Sequence, residues 1–228
     1  MQNDELLRME NITKSFPTPK GGELSILRDI SLVLRSGESI AITGKSGSGK
    51  STLLSIAALL SLPTGGRIFY LGKEISTFSD SALSTLRNRN MGFVFQNSML
   101  LEDFTALENT AMPLLIGGMK RKEAFERARC YLSLVGMEER EDHRPSSLSG
   151  GERQRTAIAR ALSGGANIIF ADEPTGNLDE ETSQSTEELL LDAVKKEKRG
   201  LLLVTHNPSF ALKADITYTL MNGVLYEK

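Results

Sequence analysis

The chain has 228 residues, 39% hydrophobic and 25% charged, enough for one sizeable α/β core and a smaller subdomain. A formal net charge of −2 and a pI near 5.8 argue against a nucleic-acid partner, which a basic face would be needed to hold. No apolar run approaches the roughly 20 residues of a membrane span, and the start Met1-Gln2-Asn3-Asp4-Glu5 is polar and acidic, unlike a secretory signal; a soluble, cytoplasmic chain is expected.

Up to about residue 77 short strands alternate with turns, as in 24–35 and 66–75, and predict an antiparallel layer joined to a parallel core. Residues 38–43 predict a further short strand. It runs into Gly44-Lys45-Ser46-Gly47-Ser48-Gly49-Lys50-Ser51, which matches G-x-x-x-x-G-K-[ST]. In that pattern glycines free backbone N–H groups to wrap phosphate oxygens, the lysine reaches the β and γ phosphates, and the hydroxyl ligates magnesium. An apolar helix is predicted from Ser51 and Thr52 to Leu60, so the loop lies at a helix N-terminus, where unpaired donors and the macrodipole favour an anion. A flexible Gly/Ser linker is the alternative, and a flanking strand and helix disfavour it.

Residues 91–95 predict a strand ending at Gln96. From 98 to 162 the character is helical. Ala124, Phe125, Ala128, Leu132 and Val135 form one apolar stripe that stops at Gly136. The apolar stretch 112–119 reads as a loop-flanked segment, and the lone Cys130, on the striped helix, supports neither a disulfide nor a metal site. A second anion-binding sequence follows, Leu148-Ser149-Gly150-Gly151-Glu152, ahead of a helix on which Ala157, Ile158, Ala161 and Leu162 share a face. Residues 167–171 predict a strand that ends in Asp172-Glu173-Pro174. Because ligands bind beyond the carboxyl ends of parallel strands, Asp172 is expected to share a magnesium ion with Ser51, and Glu173 to orient or deprotonate water. A helix over 179–194 comes next. Residues 201–205 then predict a strand ending at His206, a candidate hydrogen-bond donor to a γ-phosphate, and Gln96 is a candidate for touching the metal or the water. His143, among charges, reads as solvated.

These residues resemble the ATP-binding subunits of ABC transporters, in that family's motif order and over nearly the whole chain. The resemblance implies an α/β P-loop NTPase fold with a RecA-like parallel core, an antiparallel β subdomain and an inserted helical subdomain. Residues 1–97 and 163–228 would form the core with its antiparallel layer, and 98–162 the insert, within a single ATP-binding domain. It also implies ATP and Mg2+ as ligands. Gln96 falls at the Q-loop, Leu148 to Glu152 at the signature, Asp172 and Glu173 at the Walker B acids, Asn177-Leu178-Asp179 at the D-loop, and His206 at the switch histidine. Phe16 falls where the family stacks an aromatic on adenine; a core phenylalanine is the other reading. Asn207 departs from the family, which often has an acid there.

Two chains, identical or similar cassettes, would sandwich two ATP molecules, each signature closing on the partner's nucleotide. Integral membrane permease subunits would bind the pair at the cytoplasmic face of the membrane, gripped by the insert. A closer resemblance rests on Leu101 to Asn109, Ala111 to Leu115 and Pro174 to Asp179. It is to a group that holds lipoprotein-releasing, macrolide-efflux and cell-division ATPases, with the lipoprotein-releasing ATPases closest. The expected function is ATP hydrolysis that drives a membrane partner. A DNA- or ribosome-directed ABC ATPase ranks second, lacking here its usual coiled coil or second cassette. A small-molecule kinase ranks third, having no use for the signature.

Overall fold

The computed structural model describes residues 4–19 and 21–228; the polar start Met1-Gln2-Asn3 lies outside them. The elements run β1 (Glu5–Pro17), β2 (Glu23–Arg35), β3 (Ser39–Thr43), α1 (Lys50–Ala57), β4 (Gly65–Tyr70), β5 (Lys73–Glu74), α2 (Asp80–Asn90) and β6 (Met91–Phe95). After them come α3 (Ala106–Ile116), α4 (Arg121–Leu134), two 3-10 turns at Glu138–Arg140 and Pro145–Ser147, α5 (Gly150–Ser163) and β7 (Ile168–Asp172). The chain ends with α6 (Glu180–Lys196), β8 (Gly200–Val204), α7 (Pro208–Ala211), β9 (Ile216–Met221) and β10 (Val224–Glu227). Two compact units result, one of residues 1–84 with 200–228 and one of 85–199.

In the first unit, β3 pairs in parallel with β8 on one side and β9 on the other, and β10 closes onto β9 as a hairpin. Ile40, Ala41 and Ile42 and all of β8 are buried, as expected for parallel strands covered on both faces. A separate antiparallel sheet has the order β2-β1-β4-β5. Its first two strands are not short but 13 residues each, and several register shifts between them absorb the irregularity. The P-loop helix also ends earlier than its apolar run implies. Leu59 turns left-handed at φ 58°, its N–H reaches Ile56 O, and Leu60 N reaches Ser55 O at 2.8 Å. This is the Schellman pattern of a helix stop, and it leaves Leu60 and Leu62 exposed.

The second unit carries the parallel pair β6–β7, with α5 against β6 and α3, α4 and α5 packed together. Most of the stripe on α4 faces inward: Ala124, Ala128 and Leu132 are buried, as is Val135 at the C-cap, whereas Phe125 is only half-buried, and the helix ends before Gly136 at φ 69°. The stretch 112–119 is not a loop-flanked segment. Residues 112–116 complete α3, which runs through Pro113 and is C-capped by Gly117. That proline has no N–H to give its own helix, but burial of Ala106, Leu107, Ala111 and Leu114 holds the turn. Among the described residues no helix is long and apolar enough to cross a membrane.

Candidate functional site: a phosphate loop and a signature helix

The phosphate loop links β3 to α1, whose first turn contains no acid. Lys50 folds back so that Nζ donates to Gly44 O at 2.9 Å and Lys45 O at 3.2 Å. Gly44 sits at φ 149°, and a Cβ there would lie 2.6 Å from Leu220 O and 2.9 Å from Ser48 Oγ, so the loop wraps tighter than any side chain permits. Ser48 Oγ is buried and has no hydrogen-bond partner among the described residues. A buried hydroxyl without a partner costs stability.

His206 belongs to the same unit. The β3–β8 register sets Ile42 against Val204, so both chains leave the sheet at one end, toward Gly44 and toward His206, and His206 is exposed. Asn207, where an acid is commoner, caps α7: its Oδ1 accepts from Ser209 N at 3.0 Å. Asparagine serves a helix start as well as aspartate does. Phe16 is not a core residue. It is 43% exposed, pairs with Leu24 across the β1–β2 hairpin, and carries the Lys14 ammonium 5.0 Å from its ring centre. The same hairpin reaches the phosphate loop, since a Cβ on Gly49 would meet Ile26 Cγ2 at 2.8 Å.

In the second unit β6 and β7 end level, with Phe95 opposite Asp172, so Gln96 and Glu173 leave the sheet together. Glu173 takes φ 47° and turns the chain, and Gly176 N then donates to Glu173 O at 3.0 Å. Past that turn Asn177 meets Gln96: Gln96 Nε2 donates to Asn177 Oδ1 at 3.0 Å. Asp179 caps α6 through Thr182 N at 3.0 Å, and that backbone hydrogen bond holds its carboxyl below the ordinary range.

The signature starts α5. Leu148 is buried, and its carbonyl accepts from Arg153 Nη1 at 2.6 Å. Ser149 is the N-cap, in a reciprocal capping box with Glu152, and Arg140 pairs with Glu152 at 2.9 Å. Gly151 faces α6 so closely that a Cβ would lie 2.5 Å from Thr182 Cγ2. A cavity of about 770 Å³ opens beside these residues, bordered by Arg140, Ser149, Gly151, Glu152, Arg155 and Thr182.

Three residues have supporting roles that their sequence context does not show, and one of them, Asn109, lies in the run Leu101 to Asn109. Gln154 donates to Phe95 O at 3.0 Å. Arg160 donates to Ser98 O and Met99 O, each at 2.6 Å, and these are two successive left-handed residues. Asn109, fully buried, donates to Leu101 O, Phe104 O and Thr105 O and accepts from Leu101 N. Each acts on backbone carbonyls, which no residue pattern displays.

A phosphate loop at the end of a parallel strand, together with a second capped glycine helix start in the same chain, defines an ATP-binding cassette. The sequence profile of the ABC transporter family matches residues 27–176, and the chain belongs to that family. It is similar to the lipoprotein-releasing system ATP-binding protein LolD of Wigglesworthia glossinidia brevipalpis, 48% identical over 100% of this chain and 99% of that protein. It is similar also to LolD of Bdellovibrio bacteriovorus, 46% identical over 95% of this chain and 98% of that protein. Its fold matches the ATP-binding cassette MJ0796, solved as a dimer in a post-hydrolysis state bound to ADP and Pi, with a TM-score of 0.89, 33% identity and 98% coverage of both chains. The chain is an ABC ATPase: it binds ATP and hydrolyses it.

Proposed function

We propose that this chain is the ATP-hydrolysing subunit of a membrane complex that releases lipoproteins from the cytoplasmic membrane. The observation that carries the reading is its likeness, from end to end, to relatives named for lipoprotein release. In this reading two cassettes close around two ATP molecules and reopen after hydrolysis, and that cycle moves permease subunits in the membrane. The chain works at the cytoplasmic face. The insert, residues 98–162, transmits the motion, and residues 1–97 with 163–228 hold the nucleotide.

The role of each residue follows its chemistry. Backbone donors of Gly44 to Gly49, with the Lys45 and Lys50 ammoniums and the Ser46 and Ser48 hydroxyls, hold the phosphates, and Ser51 and Thr52 start the helix behind them. Phe16 presents an exposed ring for the adenine. The ligands assigned to magnesium in this reading, the Ser51 hydroxyl, the Asp172 carboxylate and the Gln96 amide, supply the hard oxygens that this ion prefers, alongside phosphate and water. Once bound, it would neutralise charge on the β and γ phosphates. Glu173 takes the proton of the attacking water, and His206 donates to the γ-phosphate. Leu148 to Glu152 serve the partner's nucleotide, and Asn177 to Asp179 form the D-loop.

Depletion of the protein in its host tests the cargo. Acylated proteins should accumulate in the cytoplasmic membrane. Normal lipoprotein sorting with impaired division or drug efflux would assign the chain to another branch of its group.

A further inference from the structure

Gln96 can serve a cation only with its oxygen, yet its side-chain amide has an acceptor end and a donor end of nearly the same shape. A neighbour must therefore decide which end is offered. The chain of hydrogen bonds that decides it begins at a group with no freedom. The main-chain carbonyl of Gln96 is an acceptor only, and it faces Asn177 Nδ2 at 3.4 Å. The same Nδ2 donates to Asn97 Oδ1 at 2.6 Å. With its nitrogen committed to two acceptors, Asn177 turns its oxygen to the Gln96 side chain, and Gln96 answers with its nitrogen, Nε2 to Oδ1 at 3.0 Å. The oxygen Oε1 is then the end left to be offered. Gly176 lets this happen at close range, because a Cβ there would sit 2.9 Å from Gln96 Nε2.

We infer that Asn177 is a positioning residue for hydrolysis: it orients the Gln96 amide so that oxygen, and not nitrogen, is presented to the divalent cation. Both residues are exposed, so the contact contributes little to folding, and its service is to the site. The two lie 81 positions apart, on the segments that follow β6 and β7. The inference rests on the assignment of Gln96 to the metal.

The test uses the whole chain, a fluorescent non-hydrolysable ATP analogue and a magnesium titration. Outer-shell groups of this kind change metal affinity by about 10- to 100-fold. Asn177→Ala should accordingly raise the half-saturating magnesium concentration about tenfold, and Gln96→Ala should do at least as much. Asn177→Asp, which keeps the acceptor, should recover part of the loss. Analogue affinity in EDTA and the melting temperature should stay at the wild-type values in all three. In the double variant Asn177→Ala, Gln96→Ala the effect should equal that of Gln96→Ala alone, since Asn177 acts only through Gln96. Additive effects, or a shift in melting temperature or metal-free affinity that accounts for the change, would overturn the inference. If Gln96→Ala itself leaves the magnesium dependence unmoved, the metal assignment of Gln96 is wrong and the inference falls with it, by a separate signature.

Discussion

Ser149 and Glu152 close on each other's backbone: Glu152 N donates to Ser149 Oγ at 3.2 Å, and Ser149 N donates to Glu152 Oε2 at 2.8 Å. The serine oxygen is thereby used as an acceptor, and its hydroxyl hydrogen is what remains for a visiting anion. In the proposed partner-nucleotide site, the polarity met by a phosphate would thus be set inside the chain, by an acid three residues away.

That acid makes the helix start sensitive to pH. The backbone hydrogen bond from Ser149 lowers the Glu152 pKa below its ordinary 4.5, with Arg140 helping. A carboxyl with a depressed pKa stabilises the fold above the ordinary value, and its contribution disappears as pH falls through the lower, folded value. Amide protection factors at the start of α5, taken relative to the intrinsic exchange rate at each pH, should therefore fall below about pH 4.5. Glu152→Gln keeps a side-chain oxygen for the box and should remove that acid-dependent component.

Gly151 is constrained from within its own chain. Gly151→Ala should lower stability by about 1–3 kcal/mol, because its methyl meets Thr182 Cγ2 at 2.5 Å. Thermal melts should show the loss reversed by adding Thr182→Ser, which deletes that methyl. Any defect in ATP-dependent dimerisation that survives in the double variant then reports exclusion of the partner's phosphate.

Glu173→Gln keeps the side chain's shape and loses the base. Phosphate release should fall by about 10²- to 10⁴-fold, and ATP should hold a dimer visible by light scattering. Hydrolysis near the normal rate would remove Glu173 from the role of base.

Lys50→Ala should fail earlier, at nucleotide binding, because it loses the phosphate countercharge and also the two bonds that tie Lys50 to Gly44 O and Lys45 O. Gly151→Asp should bind ATP as a monomer and fail to close. Mixing the two variants assembles one intact composite site per heterodimer, so ATP-dependent dimers should return. A mixture that stays monomeric in ATP argues against shared sites.

The loop before α3 is where coupling to the permease subunits is expected, and Asn109 organises it. Asn109→Ala leaves three carbonyls and one N–H without their side-chain partner, and should cost about 1–3 kcal/mol in denaturant melts. Charge reversal at the exposed Glu102 or Asp103 should instead leave stability and nucleotide affinity intact. It should reduce permease-stimulated ATPase activity in the reconstituted complex.

The readable part of this protein was the chemistry carried by neighbours in sequence. Glycines, a lysine and a hydroxyl between a strand and a helix specify an anion site, because the conformations and charges involved span a few residues. Strands ending at Gln96, Asp172 and His206 were legible for the same reason: a polar residue placed where an apolar run stops marks the edge of a buried sheet. Long-range packing decided the rest. Whether Phe16 enters the core depends on its rung in the β1–β2 hairpin, and α3 continues through Pro113 because buried partners on α4 and α5 reward it. Gly151 is held to its size by Thr182, 31 positions on, and the orientation of Gln96 by Asn177. Such contacts join residues tens of positions apart, and a close approach between them is a property of how the elements pack, which no local pattern of residues encodes.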